Sequence, residues 1–189
     1  MDDLDETIEC NREALALSPL GHQYHSKSLN NLAAVVLTRY RQSDQMGDLE
    51  EAITYGSKAL LLCPFGHPDR SMSLNNLANA VLCRHNWLGR IKDLEETIAY
   101  YQEALTLRPL GHPFHSTPLA NLANAILCRF GWSGNSKDLD ESIMLYEQVA
   151  HDLATSFKKW LDTAIKWADV ARLHHHSSII RAFNITSPS

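Results

Sequence analysis

Residues 71–109 read SMSLNNLANAVLCRHNWLGRIKDLEETIAYYQEALTLRP, and this stretch is the unit that the chain repeats. The five residues from Leu74 recur 45 residues earlier from Leu29 and, with one change, 45 residues later from Leu119. An Asp-Leu pair keeps the same step, at Asp3, Asp48, Asp93 and Asp138. A fixed period of this size predicts a protein built from stacked structural repeats.

Composition and charge argue against some classes of binding partner. The chain has 189 residues, of which 44% are hydrophobic and 21% charged, as in ordinary folded proteins. Its formal net charge is −5, without a long run of either sign, which argues against a nucleic-acid partner. No apolar run reaches the roughly 18 to 20 residues of a membrane span, and the N-terminal stretch MDDLDETIEC is too acidic for a secretory signal. We therefore expect a cytoplasmic protein without membrane contacts.

Metal and cofactor chemistry are not indicated. The cysteines do not form a CxxC pair and are interpreted as reduced thiols: Cys10, Cys63, Cys83 and Cys128. A Gly-His dipeptide recurs with the period of 45, and its histidines are interpreted as turn residues: His22, His67 and His112. A metal site would need further converging ligands. We expect no metal, no cofactor and no enzymatic activity.

Helical spacing, ended by Pro and Gly, predicts paired helices along most of the chain. Their predicted ranges are 3–17, 26–40, 48–62, 71–85, 93–107, 116–130 and 138–150. Each Asp-Leu helix has a second acid three residues later, which predicts a capping box: Asp3/Glu6, Asp48/Glu51, Asp93/Glu96 and Asp138/Glu141. Trp87 and Trp132 fall in predicted interhelix loops and are interpreted as packing anchors.

The pattern changes after residue 150. A helix predicted over 157–173 carries one apolar stripe: Trp160, Ala164, Trp167, Ala168 and Ala171. Terminal repeats of such arrays are atypical because they cover the open core. We therefore divide the chain into a repeat array, 1–150, and a C-terminal capping helix with tail, 151–189.

The repeats resemble the tetratricopeptide family, particularly its kinesin-light-chain-like variety. Ala33, Ala78 and Ala123 match the small position where paired helices approach. The second helix matches the family's small-aromatic-small-Pro pattern at Thr97, Tyr101, Ala104 and Pro109. The resemblance implies an all-α fold, a right-handed superhelical solenoid of antiparallel helix pairs.

A narrower resemblance concerns fungal proteins. The sequence is similar to the repeat arrays that precede a caspase-like CHAT protease domain, and 157–183 is similar to the segment that joins the two. The protease would need an α/β pattern with a His and Cys dyad, which this sequence lacks. The resemblance implies a regulatory arm of a CHAT-type protease system, and the chain is interpreted as a truncated copy of a longer array.

Asparagines recur on the first helix of each pair, on the face opposite the apolar stripe: Asn30, Asn31, Asn75, Asn76, Asn79, Asn121 and Asn124. In the family this face lines the concave groove. An amide both donates to and accepts from a peptide backbone, and Asn gains little in a solvated mid-helix position. The pattern predicts a groove that holds an extended peptide. The alternative is that some of these amides bond to neighbouring helices and hold the stack.

Arginine recurs at the predicted ends of the first helices, at Arg39, Arg84 and Arg129. These side chains either match the negative helix C-terminus or form a basic rim of the groove. The favoured function is thus a non-catalytic protein-interaction scaffold. A second hypothesis is a self-associating spacer, in which the N-terminal helix exposes Ile8 and Leu15 to another copy. A cysteine hydrolase that uses Cys83 or Cys128 is disfavoured because no motif places a base.

Overall fold

The computed structural model describes residues 2–22, 24–110, 112, 114–151 and 165–166. Within these residues the secondary structure is helical, without strands, which confirms the all-α prediction. The helices are α1 (Asp2–Ala16), α2 (His25–Ser43), α3 (Met46–Leu61), α4 (Arg70–Leu88), α5 (Ile91–Thr106), α6 (Ser116–Ser133) and α7 (Ser136–His151). The predicted capping helix over 157–173 lies outside the described residues, apart from Ile165 and Lys166.

The helices fall into two compact units. The first unit, Met1–Leu107, contains α1 to α5, and the second, Arg108–Ser189, contains α6 and α7. In the first unit α2 packs on α3 and α4 on α5, and α2 also contacts α4. In the second unit α6 packs on α7. These are the helix pairs that the period of 45 residues predicts.

Two residues join the helices of each pair, where the sequence predicted a longer loop. The first helices run about three residues further than predicted and end at a residue with left-handed backbone: Asp44 at φ 54°, Gly89 at 66° and Gly134 at 68°. The N–H of each donates to the carbonyl four residues earlier at 2.7 Å, which closes the helix. Glycine is the least strained residue in this backbone region, and Asp44 is the tolerated exception.

The predicted capping boxes are wrong for α3, α5 and α7. Asp48, Asp93 and Asp138 are each the third helical residue, because the helices begin two residues earlier than predicted. The residues before α3 and α5 are Gln45 and Arg90, and neither side chain caps the helix. The three aspartates bind arginine instead, as described below.

The core of the first unit begins at α1. Ile8 is fully buried with Leu32 and Val36 of α2 and with Leu49 and Ala52 of α3. The prediction that Ile8 lies on an exposed apolar end is therefore wrong. Leu15 is partly buried against the same cluster. Residues 5–7, 9–10 and 13–14 of α1 are exposed, so its other faces meet solvent.

The core of the second unit joins its two helices. Ala123 of α6 packs with Leu139, Ile143 and Tyr146 of α7, and all four are buried. The small residue at Ala123 lets the larger side chains of α7 approach the backbone of α6.

Candidate functional site

The turns between successive pairs are held by their own side chains. Nδ1 of His22, His67 and His112 accepts the backbone N–H two residues later, at 3.3, 3.1 and 3.1 Å. These contacts agree with the interpretation of the three histidines as turn residues. Groups of three or more His, Cys, Asp or Glu suited to a metal ion do not occur in the described part of the chain.

A second side chain contacts the backbone carbonyl at the start of each turn. His115 contacts the carbonyl of Arg108 through Nδ1 at 2.5 Å, and His25 contacts the carbonyl of Ser18 in the same way. In the turn between these two, Arg70 fills this position, and its Nη1 donates to the carbonyl of Cys63 at 2.7 Å. The residue type at this position varies between histidine and arginine, but the contact with the backbone carbonyl is retained. We infer that this side chain stabilises the turn.

The recurrent arginines form clamps. Each binds both carboxylate oxygens of the aspartate nine residues later: Arg39 to Asp48 at 2.9 and 2.7 Å, Arg84 to Asp93 at 2.9 and 2.9 Å, and Arg129 to Asp138 at 3.0 and 2.9 Å. The aspartate side chains are only 13, 7 and 8% exposed. Such planar two-bond pairs fix orientation as well as charge. The clamps close the two-residue turns across each helix pair.

The asparagines do not share one environment. Asn30 is fully buried, and its Nδ2 donates to Oγ of Ser73 at 2.8 Å, joining α2 to α4. Asn30 therefore does not line a groove, and the prediction is wrong for this residue. Asn31, the next residue, is exposed on the free face of α2. Asn75 is half-buried and has an interaction within the fold.

Two asparagines are oriented from the second helix of their own pair. Tyr101 of α5 donates its hydroxyl proton to Oδ1 of Asn79 at 2.8 Å, and Tyr146 of α7 does the same to Asn124 at 2.6 Å. Burial raises the pKa of Tyr146 to about 12, so its hydroxyl stays protonated and able to donate at neutral pH. The amide oxygen is thereby occupied, and the amide nitrogen retains its two hydrogens.

The free face of the first helices is the face of α2, α4 and α6 that carries the predicted asparagines other than Asn30. It has a partly polar surface in each unit. In the first unit Asn31 and Asn76 make no side-chain hydrogen bond to the described residues. Asn79, three residues after Asn76 on α4, is half-buried. In the second unit Asn121 and Asn124 lie on α6, both half-buried, and Asn121 has an interaction within the fold. The structure thus places four predicted residues of the first unit on the neighbouring helices α2 and α4: Asn31, Asn75, Asn76 and Asn79.

The exposed tryptophans correct another prediction. Trp87 and Trp132 lie in the last turns of α4 and α6, not in loops, and they are 55 and 62% exposed. They are not packing anchors among the described residues. The apolar residue inside each Pro-x-Gly turn is also exposed, at Leu20, Phe65 and Leu110. Sequence reasoning missed these exposed apolar residues, although their period of 45 was visible.

Sequence reasoning also missed a cavity of about 430 Å³ in the first unit. Its walls come from α3, α4 and α5, and Ser57, Leu77 and Tyr100 line it. The repeat alignment of Ser57 with Arg12, a residue 45 positions earlier, is the signal that would have found it. Helices long and apolar enough to cross a membrane are not found in the described ranges.

Comparison with known proteins identifies the fold. A crystal structure of a substituted form of a candidate kinesin light chain from Podosopora anserina, with nearly identical TPR-like repeats, aligns with a TM-score of 0.68 at 16% identity, over 96% of this chain and 82% of that one. The crystal structure of BtubC (BKLC) from P. vanneervenii aligns with a TM-score of 0.67 at 17% identity, over 99% and 77%. No family model matches the sequence, and no curated protein matches it either. The chain therefore has the all-α solenoid fold of tetratricopeptide-like repeats.

Proposed function

We propose that this chain is a protein-interaction scaffold that holds an extended peptide segment on the free face of its first helices. The observation that carries the proposal is the oriented amide of Asn79 in the first unit, an arrangement that recurs at Asn124 within the second unit. Because a tyrosine hydroxyl occupies each amide oxygen, each amide nitrogen can donate to an acceptor outside the fold. A peptide carbonyl is the acceptor that an extended ligand presents at regular intervals.

The neighbouring asparagines supply complementary chemistry. Asn31 and Asn76 keep both their donor and acceptor groups available in the described structure, on two helices that contact each other. An extended peptide alternates N–H and C=O groups, so amides that both donate and accept suit its backbone. Such recognition reads the backbone and leaves ligand side chains to other contacts.

The proposal gives the three recurrent arginines a structural role: Arg39, Arg84 and Arg129. Their side chains are 22, 19 and 31% exposed and already bind aspartate. We propose that they border the groove as closed ion pairs and fix its helices. In this form they contribute less attraction for an acidic peptide than unpaired arginines would.

Selection from a displayed library of random peptides, followed by affinity measurement on the intact chain, tests the proposal. Asn76→Ala is expected to weaken binding of a selected peptide by about 5-fold to 30-fold, the cost of a lost hydrogen bond whose partner stays unpaired. Its melting temperature should hardly change, because Ala favours helix more than Asn does. Asn11→Ala, on α1, is the matched control and should leave affinity unchanged.

Two results would overturn this function. One is a selected peptide that binds wild type and Asn76→Ala equally. The other is a fall in melting temperature of several degrees with unchanged affinity, which would assign the amide to the scaffold.

The spacer hypothesis loses its main support in the structure. It relied on an exposed Ile8, and Ile8 is fully buried. A homo-oligomer through α1 would have to use its polar faces instead. Association with a CHAT-type protease and a cytoplasmic location stay predictions that rest on the sequence alone.

A further inference from the structure

The cavity of the first unit is lined by residues of α3, α4 and α5, and the predicted asparagines are not among them. It has a volume of about 430 Å³, within the range of about 300 to 1,000 Å³ of many ligand sites. Leu60 of α3 and Leu77 of α4 supply apolar wall, while Ser57 of α3 and Tyr100 of α5 supply hydroxyl groups. The lining therefore combines apolar side chains with side chains that carry a hydroxyl group.

The preceding sequence repeat has a different side chain at the equivalent position. Arg12 of α1 stands 45 residues before Ser57, and its Nη2 donates to both carboxylate oxygens of Glu51 at 3.0 and 3.3 Å. Tyr55 donates its hydroxyl proton to the same carboxylate at 2.8 Å. An arginine side chain thus spans from α1 to an acid-tyrosine pair on α3.

The acid-tyrosine pair recurs beside the cavity, but the arginine does not: Tyr100 lines the cavity, and Glu96 is bound to Tyr100. Glu96 and Tyr100 stand 45 residues after Glu51 and Tyr55, and the Tyr100 hydroxyl donates to Glu96 at 2.5 Å. The short side chain of Ser57 replaces that of Arg12. Glu96 has no cation within ion-pair distance among the described residues, whereas Glu51 has two, Arg12 at 3.0 Å and Arg39 at 4.0 Å.

The charges around the cavity are compatible with an incoming cation. Arg70 lines the cavity, but its Nε donates to Glu103 at 2.6 Å and its Nη1 to a backbone carbonyl. Arg84 is near enough to Glu96 for the carboxylate to contribute to its raised pKa, yet its hydrogen bonds go to Asp93. Neither arginine occupies the position that Arg12 takes in the preceding sequence repeat.

We propose that this cavity receives an arginine side chain from a partner protein. The guanidinium would bind Glu96 beside Tyr100, as Arg12 binds Glu51 beside Tyr55, and the aliphatic stem would lie along Leu60 and Leu77. Arginine suits the site better than lysine, because its planar fork matches a carboxylate with two bonds. The residues of this site do not include the predicted asparagines.

Titration of the intact chain with N-acetyl-L-arginine N-methylamide, followed by backbone amide chemical shifts, tests the site. Shifts should concentrate around Ser57 and Tyr100, with a dissociation constant of about 1 to 10 mM, as a single side-chain analogue allows. The matching citrulline compound has nearly the same shape without the charge. It should bind at least about tenfold more weakly, since the ion pair with Glu96 is lost.

Three variants separate this site from nonspecific binding. Ser57→Arg restores the residue of the earlier repeat and should abolish the shifts, whereas Ser57→Ala leaves the cavity open and should preserve them. Glu96→Gln, at an exposed position, should weaken binding about fivefold to tenfold without unfolding the chain. The proposal is overturned if the citrulline compound binds equally, if Ser57→Arg binds as the wild type does, or if no shifts appear.

Discussion

The hydroxyl of Tyr101 donates to Oδ1 of Asn79 at 2.8 Å, and this bond ties the free face of α4 to its partner α5. The two residues vary together along the repeat. Tyr146 and Asn124 stand 45 residues later and make the same bond at 2.6 Å, whereas 45 residues earlier the positions hold Gly56 and Ala34. A joint loss of both partners is expected if the tyrosine serves to orient the amide.

Replacement of the tyrosine hydroxyl tests this relationship. Tyr101→Phe should lower the affinity for a selected peptide about 3-fold to 10-fold, because the amide of Asn79 can then turn and present its oxygen. The free energy of unfolding should fall by only about 0.5 to 1.5 kcal/mol, the net worth of one hydrogen bond. Peptide affinity measured by calorimetry on the folded variant, beside a thermal melt, gives both quantities.

Tyr55→Phe is the matched control for that experiment. Its hydroxyl donates to the carboxylate of Glu51 instead of to an asparagine. It should leave peptide affinity unchanged. Equal affinities for Tyr101→Phe and wild type would show that the hydroxyl does not orient a ligand-binding amide.

Adjacent asparagines are expected to behave in opposite ways. Asn30→Ala removes the bond to Ser73 and leaves space in a fully buried position, so the free energy of unfolding should fall by about 1 to 3 kcal/mol. Asn31→Ala, one residue later and exposed, should stay within about 0.5 kcal/mol of the wild type. Urea unfolding of both variants measures the difference. Equal stabilities would contradict the burial of Asn30.

This pair shows where sequence reasoning succeeds and where it stops. The period of 45 residues and the helical spacing predicted the helices and their pairing, because both follow from local pattern. They did not separate Asn30 from Asn31, since the turn of about 100° between successive helical residues decides which one meets α4. Packing between repeats, not composition, determines that rotation.

The predicted first residues of α3 and α5 were wrong for a related reason. Asp48 and Asp93 have the residue type of a helix cap, and three residues later comes Glu, so local chemistry favoured a capping box. The competing partner is an arginine nine residues earlier, which the fold brings within 2.9 Å of each aspartate. A bond across a turn depends on the turn geometry, which the left-handed residue sets and the hydrophobic pattern does not reveal.

The arginine clamps should matter for stability. Arg84→Ala leaves the carboxylate of Asp93, which is 7% exposed, without its cation, and the free energy of unfolding should fall by about 1 to 3 kcal/mol. Arg41→Ala is the control, because Arg41 is exposed in the last turn of α2 and should change stability little. Denaturant unfolding compares the two. Similar small losses would show that the clamp contributes no more than a surface charge.

The burial of Ile8 gives the last prediction, which also decides the spacer hypothesis. Ile8→Glu places a carboxylate among Leu32, Val36 and Leu49, so the free energy of unfolding should fall by roughly 3 kcal/mol or more. Ala14→Glu adds the same charge to an exposed position of α1 and should be nearly neutral. Thermal melts with light scattering report stability and mass together. If Ile8→Glu melted like the wild type and only converted a dimer into a monomer, Ile8 would lie in an interface between copies and its place in the core would be wrong.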